Sequence, residues 1–404
     1  MAQPKLASTA VALSAALALA VGAPSAARAT RDQIIYSFTG GADGSAPHAR
    51  LTSDKAGNLY GTTSADGRGY GTVFEYATKG GFATLYTFNN GTDGAYANGV
   101  TYDEASGNLF GTARQGGANG KGVIFKLTPK GALTVLHAFA GTDGDAPSTR
   151  LTRDTLGNFY GAASAGGDLT CFGGEGCGVI FKLAADGTYS VLHKFSGGAD
   201  GSFPSGRLSK ESDGDLVGVT NEGGDLGCGN GNGCGTVFRV TPTGKFHVLH
   251  TFTGVGSMGF PAGGVAEDSR GNIYGTVGGA REGNPDFVFK IARNGTYTVL
   301  HSFTGADGFD PFGDLLALQH GHMFYGTTSD GGKNDAGTVF RFKPDGSFHT
   351  VHTFRKRYDG ANPYVGLTET SRGLYGTTDF GGSSYNCQYY YVNGCGTIYY
   401  LGPE

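Results

Sequence analysis

The sequence predicts an all-β protein, a seven-bladed β-propeller, and its composition is the first of three reasons. Glycine supplies 75 of the 404 residues, Tyr and Phe supply 21 and 27, and Trp is absent. Glycine favours tight turns and aromatic residues favour strands, so this mixture indicates many short strands. A sequence repeat and a pair of complementary termini are the other two reasons, and they assign these strands to blades.

An aromatic-Gly-Thr element recurs along the chain and defines the repeat. The seven copies, some of them degenerate, begin at Tyr60, Phe110, Tyr160, Val217, Tyr274, Tyr325 and Tyr375, at intervals of 50, 50, 57, 57, 51 and 50 residues. In the first copy, four strand-like runs separated by turn residues are predicted at 47–52, 58–63, 71–76 and 82–88. Four strands in a repeat of this length are typical of one propeller blade.

The two termini complement each other. Residues 34–38 match the fourth run of a repeat, whereas the seventh repeat stops after its third run at Leu401. We therefore expect the N-terminal strand to pair with the last blade and close the ring, because closure removes an exposed sheet edge. A β-solenoid is the alternative fold, but its rungs are usually much shorter than this repeat.

The first 29 residues have the features of a secretory signal peptide. Lys5 precedes an apolar run over 11–21, and Ala27-Arg28-Ala29 offers a cleavage site after Ala29. The apolar run is too short to span a bilayer. We expect a secreted or periplasmic protein with one propeller domain over 30–404, no membrane span and a monomeric state.

Six cysteines fall into three close pairs, and each pair occupies the same place within its repeat. The pairs are Cys171 with Cys177, Cys228 with Cys234, and Cys387 with Cys395. In an exported chain this pattern predicts three local disulfides that brace long loops. Zinc binding is the alternative, but the spacing is not Cys-x2-Cys and no histidine lies nearby.

The repeat motifs resemble the GloVer tandem repeat, a family of exported bacterial proteins with LYGTT, GG and GTVF elements. The resemblance rests on 58–63 with 71–74, and on 324–328 with 331–332 and 337–340, and it covers essentially the whole mature chain. It implies no defined activity or catalytic residues. Members often end in a surface-anchoring tail, which the C-terminal Gly402-Pro403-Glu404 does not resemble.

Charge and motif content narrow the function classes. A net charge of -4 and a pI near 6.2 offer no large positive field for nucleic acid. The sequence contains no His-Glu-x-x-His zinc motif, no Gly-x-Ser-x-Gly elbow and no phosphate-binding loop. We therefore expect a non-enzymatic protein without a cofactor.

Two columns of recurring residues are interpreted as structural. Histidine or tyrosine recurs in the fourth run, at Tyr36, Tyr86, His137, His193, His250, His301 and His352. An Asp-Gly pair precedes six of the first runs, at Asp43, Asp93, Asp143, Asp200, Asp307 and Asp359. Calcium binding is the alternative for these carboxylates, but a calcium site needs several oxygens around one ion.

A less regular column in the first run supplies the candidate ligand-binding residues. Its members are Arg50, Gly99, Arg150, Arg207, Gly264, Asp314 and Gly366. If the first run is innermost, the three guanidinium groups lie near the channel, where they could hold carboxylates or sulfates. The structural alternative is that they reach solvent or pair with neighbouring acids.

The leading hypothesis is a binding or interaction module for an extracellular glycan or an envelope protein. Besides the arginine column and Asp314, the aromatic segment over 385–391 offers Tyr389 and Tyr390 as stacking surfaces for sugar rings. The alternative is a polysaccharide lyase or hydrolase with its site at the central funnel, where Arg would neutralise an acidic sugar. A purely structural role is a third possibility.

Overall fold

The computed structural model describes residues 1, 33–65, 69–253, 260–279, 286–389 and 392–402. The predicted signal peptide therefore lies, apart from Met1, outside the described residues. The described chain forms seven antiparallel sheets in a ring, so the predicted seven-bladed β-propeller is confirmed. Among the described residues, no helix is long and apolar enough to cross a membrane.

Blades 1 to 6 take their strands in sequence order from the channel outwards, whereas the outermost strand of blade 7 is the N-terminal strand. Blades 1 and 2 comprise Thr52–Ser53, Leu59–Thr63, Thr72–Ala77 and Gly81–Thr87, then Ala95–Tyr102, Leu109–Gln115, Val123–Leu127 and Leu133–Ala138. Blades 3 and 4 comprise Asp145–Pro147 with Thr152–Arg153, Phe159–Ala165, Val179–Leu183 and Tyr189–Lys194, then Ser202–Lys210, Leu216–Glu222, Thr236–Val240 and Phe246–Thr251.

Blades 5 and 6 comprise Ala266–Glu267, Ile273–Val277, Phe287–Ile291 and Tyr297–Ser302, then Leu316–Leu318, Met323–Thr328, Thr338–Phe342 and Phe348–Thr353. Blade 7 comprises Thr368–Thr370, Gly373–Thr378, Thr397–Leu401 and the N-terminal Gln33–Ser37. Short 3-10 turns lie at Phe172–Gly174, Gly229–Gly231 and Gln319–Gly321, and a hairpin of Gln388–Tyr389 and Val392–Asn393 lies in a loop of blade 7.

The N-terminal strand closes the ring as predicted. It pairs antiparallel with the last strand, from Gln33 opposite Tyr400 to Ser37 opposite Thr397. Just beyond it, the amide of Phe38 donates to the carbonyl of Gly396 at 3.0 Å, and the Phe38 ring is fully buried. The seventh blade is therefore made from both ends of the chain.

One aromatic contact recurs at every junction between blades. A phenylalanine after each fourth strand packs edge-on against the third-strand ring of the next blade, with centroid distances of 5.0 to 5.5 Å, in the pairs Phe38–Phe74, Phe88–Phe125, Phe139–Phe181, Phe195–Phe238, Phe252–Phe289, Phe303–Phe340 and Phe354–Tyr399. The third-strand ring also covers the glycine of the aromatic-Gly-Thr element. A Cβ atom at Gly61 would lie 2.5 Å from Cζ of Phe74, so this packing explains the recurring glycine.

The histidine or tyrosine column and the Asp-Gly turns form a second recurring contact, as the structural interpretation predicts. Each described pair joins a fourth-strand side chain to the carboxylate of the following turn, at 2.8 to 3.3 Å, in the pairs Tyr36–Asp43, Tyr86–Asp93, His137–Asp143, His193–Asp200, His301–Asp307 and His352–Asp359. Each of these carboxylates also accepts a backbone amide, as Asp43 does from Thr39 at 2.7 Å. The carboxylates thus order the turns between blades.

This column predicts a loss of stability in mild acid. Burial lowers the pKa of His250, and it lowers the pKa of His137 although Asp143 opposes the shift. A histidine whose pKa is lower in the folded state binds fewer protons there, so its stabilising contribution is lost as the pH falls. We expect the free energy of unfolding, measured in urea, to decrease between about pH 7 and pH 5, where unfolded histidine titrates.

A substitution isolates this contribution. His250→Phe keeps a ring that can stack on Tyr297, whose centroid lies 4.0 Å from that of His250, but it removes the titrating group. We expect the unfolding free energy of His250→Phe to depend less steeply on pH over the same range. An unchanged or steeper slope would contradict this assignment.

Three disulfides form within the predicted pairs, Cys171–Cys177, Cys228–Cys234 and Cys387–Cys395. They brace the loops between the second and third strands of blades 3, 4 and 7. The sulfur atoms pack against the turns between blades: a Cβ atom at Gly40 or Gly197 would lie within 2.9 Å of them. These loops and the connections between blades lie on one side of the ring, which we call the disulfide face.

Candidate functional site

The innermost strands contain bulges that turn side chains toward the channel. Ser205 and Ser209 are four residues apart, yet they pair with Val219 and Val217, which are only two apart. Arg207 lies in the resulting bulge. Extra residues in one strand of a ladder have no pairing partner, and they re-aim their side chains.

In blades 1 and 3, which contain Arg50 and Arg150, the pairing of the inner strand with the second strand is interrupted at the equivalent place. Arg150 lies between the two short inner strands of blade 3, and Arg50 precedes the short inner strand of blade 1. The predicted strand over 47–52 is therefore wrong, because the inner strand covers only Thr52–Ser53, and before it a single bridge joins Ser45 to Ala65. The reason is local: Ala46 has a positive φ of 49° and the next residue, Pro47, has no amide hydrogen for the ladder.

A cavity of about 390 Å³ lies in the channel toward the disulfide face. Arg50, Arg150, Arg207 and Asp314 all line it, so the structure brings together the charged members of the candidate column. Arg114, at the end of the second strand of blade 2, adds a fourth guanidinium group.

The guanidinium groups have little to neutralise them. Arg150 Nη1 donates to the carbonyl of Leu51 at 2.8 Å, and Arg207 Nε donates to Thr152 Oγ1 at 3.1 Å. The Nε atoms of Arg50 and Arg150 are buried without a hydrogen-bond partner. Among the described residues, no carboxylate forms an ion pair with any of the three predicted arginines, whereas Arg153, Arg239 and Arg355 do have such pairs.

Asp314 is fixed by the backbone and not by an arginine side chain. Its Oδ1 accepts the amide of Gly264 at 2.8 Å and the amide of Arg207 at 3.2 Å. A Cβ atom at Gly264 would lie 2.5 Å from this oxygen, which explains the glycine in the blade 5 position of the column. One carboxylate therefore faces at least three cations.

Burial and mutual repulsion make this cluster electrostatically unfavourable when the cavity holds no anion. Burial, together with the nearby charge of Arg207, lowers the pKa of Arg50 to about 10, and Asp314 only partly opposes this. Burial and the charges of Arg207 and Arg50 hold the pKa of Arg150 well below its usual range. Arginine stays protonated in proteins, so the cluster is cationic at neutral pH and suited to an anion.

The lining of the cavity also includes aromatic and acid-base groups that the sequence analysis missed. His48 Nδ1 lies 2.6 Å from Asp379 Oδ2, and the His48 ring centroid lies 5.0 Å from that of Tyr364. The ring of Phe312 is parallel to that of Tyr364, with a centroid distance of 6.1 Å. A proline recurs at the same place in six repeats, but the residue after it varies and is His48, Phe312 or Tyr364 in three of them. A variable residue beside a recurring proline was the sequence signal that could have identified these side chains.

The pKa values of two of these groups are raised. The charge of Asp379 raises the pKa of His48, although burial and Arg114 act in the opposite direction. Burial and the charges of Asp330, Asp379 and Asp310 raise the pKa of Tyr364 to about 12. The protonated forms suit hydrogen-bond donation or general-acid chemistry better than proton abstraction.

The sequence matches a known repeat family over nearly its whole length. The family model described as the Gloeobacter/Verrucomicrobia repeat matches residues 25–231 and again residues 228–404. The chain belongs to this family. The match confirms the GloVer resemblance inferred from the LYGTT and GTVF elements.

Solved structures show that the Gloeobacter/Verrucomicrobia repeat protein shares its fold with distant propellers. Two chains described as extracellular domains, of a one component and of a hybrid two component system from B. thetaiotaomicron, match with TM-scores of 0.56 and 0.54 at 9% and 10% identity. Both matches cover 91% of this chain, which spans only 39% of each of those chains.

A third structure, from Bacteroides uniformis and described as a 6-phosphogluconolactonase, matches with a TM-score of 0.50 at 15% identity. That match covers 76% of this chain and 84% of the other. No curated protein matches the sequence. At these identities the likeness concerns the fold alone.

The remaining candidate residues of the Gloeobacter/Verrucomicrobia repeat protein lie outside this cavity or outside the described side chains. Tyr389 belongs to the short hairpin of blade 7, and Tyr390 lies outside the described residues, so their stacking role stays a prediction. Nearby, the exposed ring of Tyr385 lies 5.1 Å from Cζ of Arg357.

Carboxylates converge elsewhere in the described chain at Glu211, Asp213 and Asp215, whose oxygens lie within 4.8 Å of one another. Glu211 is paired with Arg239 at 2.6 Å, which already balances its charge. The calcium alternative for the Asp-Gly turns gains no support, because each described carboxylate is engaged within its own turn.

Proposed function

We propose that this protein is an exported binding module whose channel cavity binds carboxylate groups of an acidic extracellular glycan. The observation that carries the proposal is the set of three arginines that line one cavity without an ion pair to any carboxylate of the described residues. A guanidinium group presents a planar pair of donors that matches a carboxylate or sulfate. An anionic ligand would provide the partners that the folded chain does not.

The rest of the cavity favours a sugar over a simple inorganic anion. Phe312 and Tyr364 contribute two parallel aromatic rings to the lining, and His48 and Asn98 contribute polar groups. The volume of about 390 Å³ falls in the usual range for small-ligand sites. Apolar rings combined with few placed charges are typical of such sites.

Export is supported by the three disulfides, which form and persist in oxidising compartments. The signal peptide over 1–29 and a monomeric state remain part of the proposal. The partner is an acidic glycan or a glycan-bearing envelope component, and no nucleic acid is expected.

Calorimetric titration tests the proposal. We expect the purified protein to bind short galacturonate oligosaccharides and to bind neutral oligosaccharides of equal length at least tenfold more weakly. We also expect affinity to fall as salt increases, because salt screens the charge interaction. Equal affinity for the neutral series, or no binding to any member of a panel of uronates and sulfated sugars, would contradict it.

A second candidate function, cleavage of the bound glycan by β-elimination, is favoured by the His48–Asp379 pair. In such a reaction the Asp314 carboxylate, which lines the cavity, would accept the proton on C5 of a uronate as the C4–O4 bond breaks. A C4=C5 double bond forms, and the departing oxygen takes a proton. The arginines would neutralise the carboxylate, and protonated His48 would donate to the departing oxygen.

Ultraviolet absorbance distinguishes the two candidates, since elimination creates a conjugated double bond. If the second candidate is correct, polygalacturonate develops new absorbance with the wild-type protein but not with His48→Ala. Binding without new absorbance or new reducing ends leaves the binding module as the function.

A further inference from the structure

The channel is divided by its own side chains. A second cavity of about 280 Å³ lies beyond the first, and its lining includes Lys210 and Glu267. The two cavities share Arg50, Arg207 and Asp314, which therefore lie between them. We call these three residues the septum.

Hydrogen bonds hold the septum across several blades. Arg207 of blade 4 reaches Thr152 of blade 3, and Asp314 of blade 6 holds the backbone amides of Arg207 and Gly264. Beside the septum, Arg150 of blade 3 reaches the carbonyl of Leu51 in blade 1. The side chains thus span the channel instead of lying along its wall.

Backbone contacts close the channel wall between neighbouring blades. A Cβ atom at Gly206 would lie 2.6 Å from the amide nitrogen of Gly264, and one at Gly263 would lie 2.5 Å from the carbonyl oxygen of Gly313. A Cβ atom at Gly366 would lie 2.1 Å from the carbonyl oxygen of Asp314. The inner segments of blades 4 to 7 therefore leave no gap between blades through which a polymer could leave the channel sideways.

From this geometry we infer that the site takes the end of an acidic glycan chain, and not a segment from its middle; the inference rests on the proposed function. One terminal uronate enters from the disulfide face, and its carboxylate meets the guanidinium groups at the septum. The rest of the chain leaves through the same mouth, past Phe312 and Tyr364.

Cavity size agrees with one terminal unit. A volume of about 390 Å³ lies near the lower end of the range for small-ligand sites, which suits a chain terminus better than a long segment. A chain bound through its middle would need two exits, and the septum leaves one.

The number of protein molecules bound to glycan chains of different lengths tests end recognition. We expect the full-length mature protein to bind trigalacturonate and a long polygalacturonate with affinities, expressed per chain, that agree within about threefold. Light scattering should show one protein on each long chain, or two if both ends are recognised. Many proteins on each chain, with an affinity that rises with chain length, would overturn end recognition.

Two further results separate the inference from the proposed function. If neither trigalacturonate nor polygalacturonate binds, and no other uronate or sulfated sugar binds, the proposed function itself is wrong. Many proteins on each long chain would instead contradict end recognition and leave the proposed function intact. Lys210→Gln changes the second cavity only, so we expect it to leave the affinity for trigalacturonate within twofold of wild type. A tenfold loss in this variant would mean that the ligand crosses the septum.

Discussion

Deletion of residues 33–38 is expected to make the chain aggregate. The deletion exposes the edge of Thr397–Leu401, which the N-terminal strand covers, and unpaired edges are templates for association. It also removes the stack of Tyr36 on Phe82, with centroids 4.1 Å apart, and the contact of Phe38 with Phe74. Loss of a buried phenylalanine alone costs about 3–5 kcal/mol, a large part of the usual 5–15 kcal/mol of a folded domain.

Size-exclusion chromatography and thermal unfolding measure this effect, and a matched pair of point variants refines it. Phe38 lies in the closing segment and Phe88 occupies the equivalent place after blade 1, and both are fully buried. We expect Phe38→Ala and Phe88→Ala to lose similar stability, about 3–5 kcal/mol each. If Phe38→Ala costs less than about 1 kcal/mol while Phe88→Ala costs the full amount, the closing strand does not belong to the cooperative core.

The double substitution Arg50→Gln with Arg150→Gln is expected to lower the affinity for trigalacturonate at least a hundredfold. A hydrogen bond to a charged group contributes about 1.5–3 kcal/mol, which corresponds to about 10- to 100-fold in affinity for each arginine. Glutamine keeps a polar side chain of reduced length but removes the charge. Because these cations repel each other and lack ion pairs, we expect the double variant to unfold at the same temperature as wild type or higher.

An arginine outside the cavity serves as a control, because its substitution removes one positive charge from the protein without changing the cavity. Arg153 forms an ion pair with Asp103 at 2.8 Å, in the same blade as Arg150, but it does not line the cavity. We expect Arg153→Gln to leave the affinity within twofold of wild type. An unchanged affinity in the double variant, measured by the same titration, would show that the arginines do not hold the ligand.

The sequence predicted the ring, its closure and the three disulfides because each depends on a regularity that runs along the whole chain. Each blade needs a glycine like Gly61 that fits beneath its third-strand ring. The number of aromatic-Gly-Thr elements in the sequence therefore predicts the number of blades. The missing fourth strand at Leu401 determines where the strand over 34–38 must pair. Equivalent places in successive repeats also made local cysteine pairing the simplest arrangement.

The candidate site was predicted only in part, because its geometry depends on departures from the repeat. Equal positions in a ring bring Arg50, Arg150 and Arg207 near one axis, so their proximity could be anticipated. The direction of each side chain could not, since it depends on bulges that local strand patterns do not reveal. His48 and Tyr364 were missed for the same reason: they occupy the segment that was expected to be regular strand.

Because of the bulges in the inner strands, the residues that would select a ligand are different from those that pair the strands of the ring. Residues such as Arg207 have no partner in the ladder, so they can be exchanged without disturbing the strand pairing that sets blade number and closure. Gly264 and Gly366 must stay glycine, because a Cβ atom there would lie within 2.5 Å of Asp314. A library randomised only at Arg50, Arg150 and Arg207 should therefore fold like the parent while changing which charged sugar it accepts.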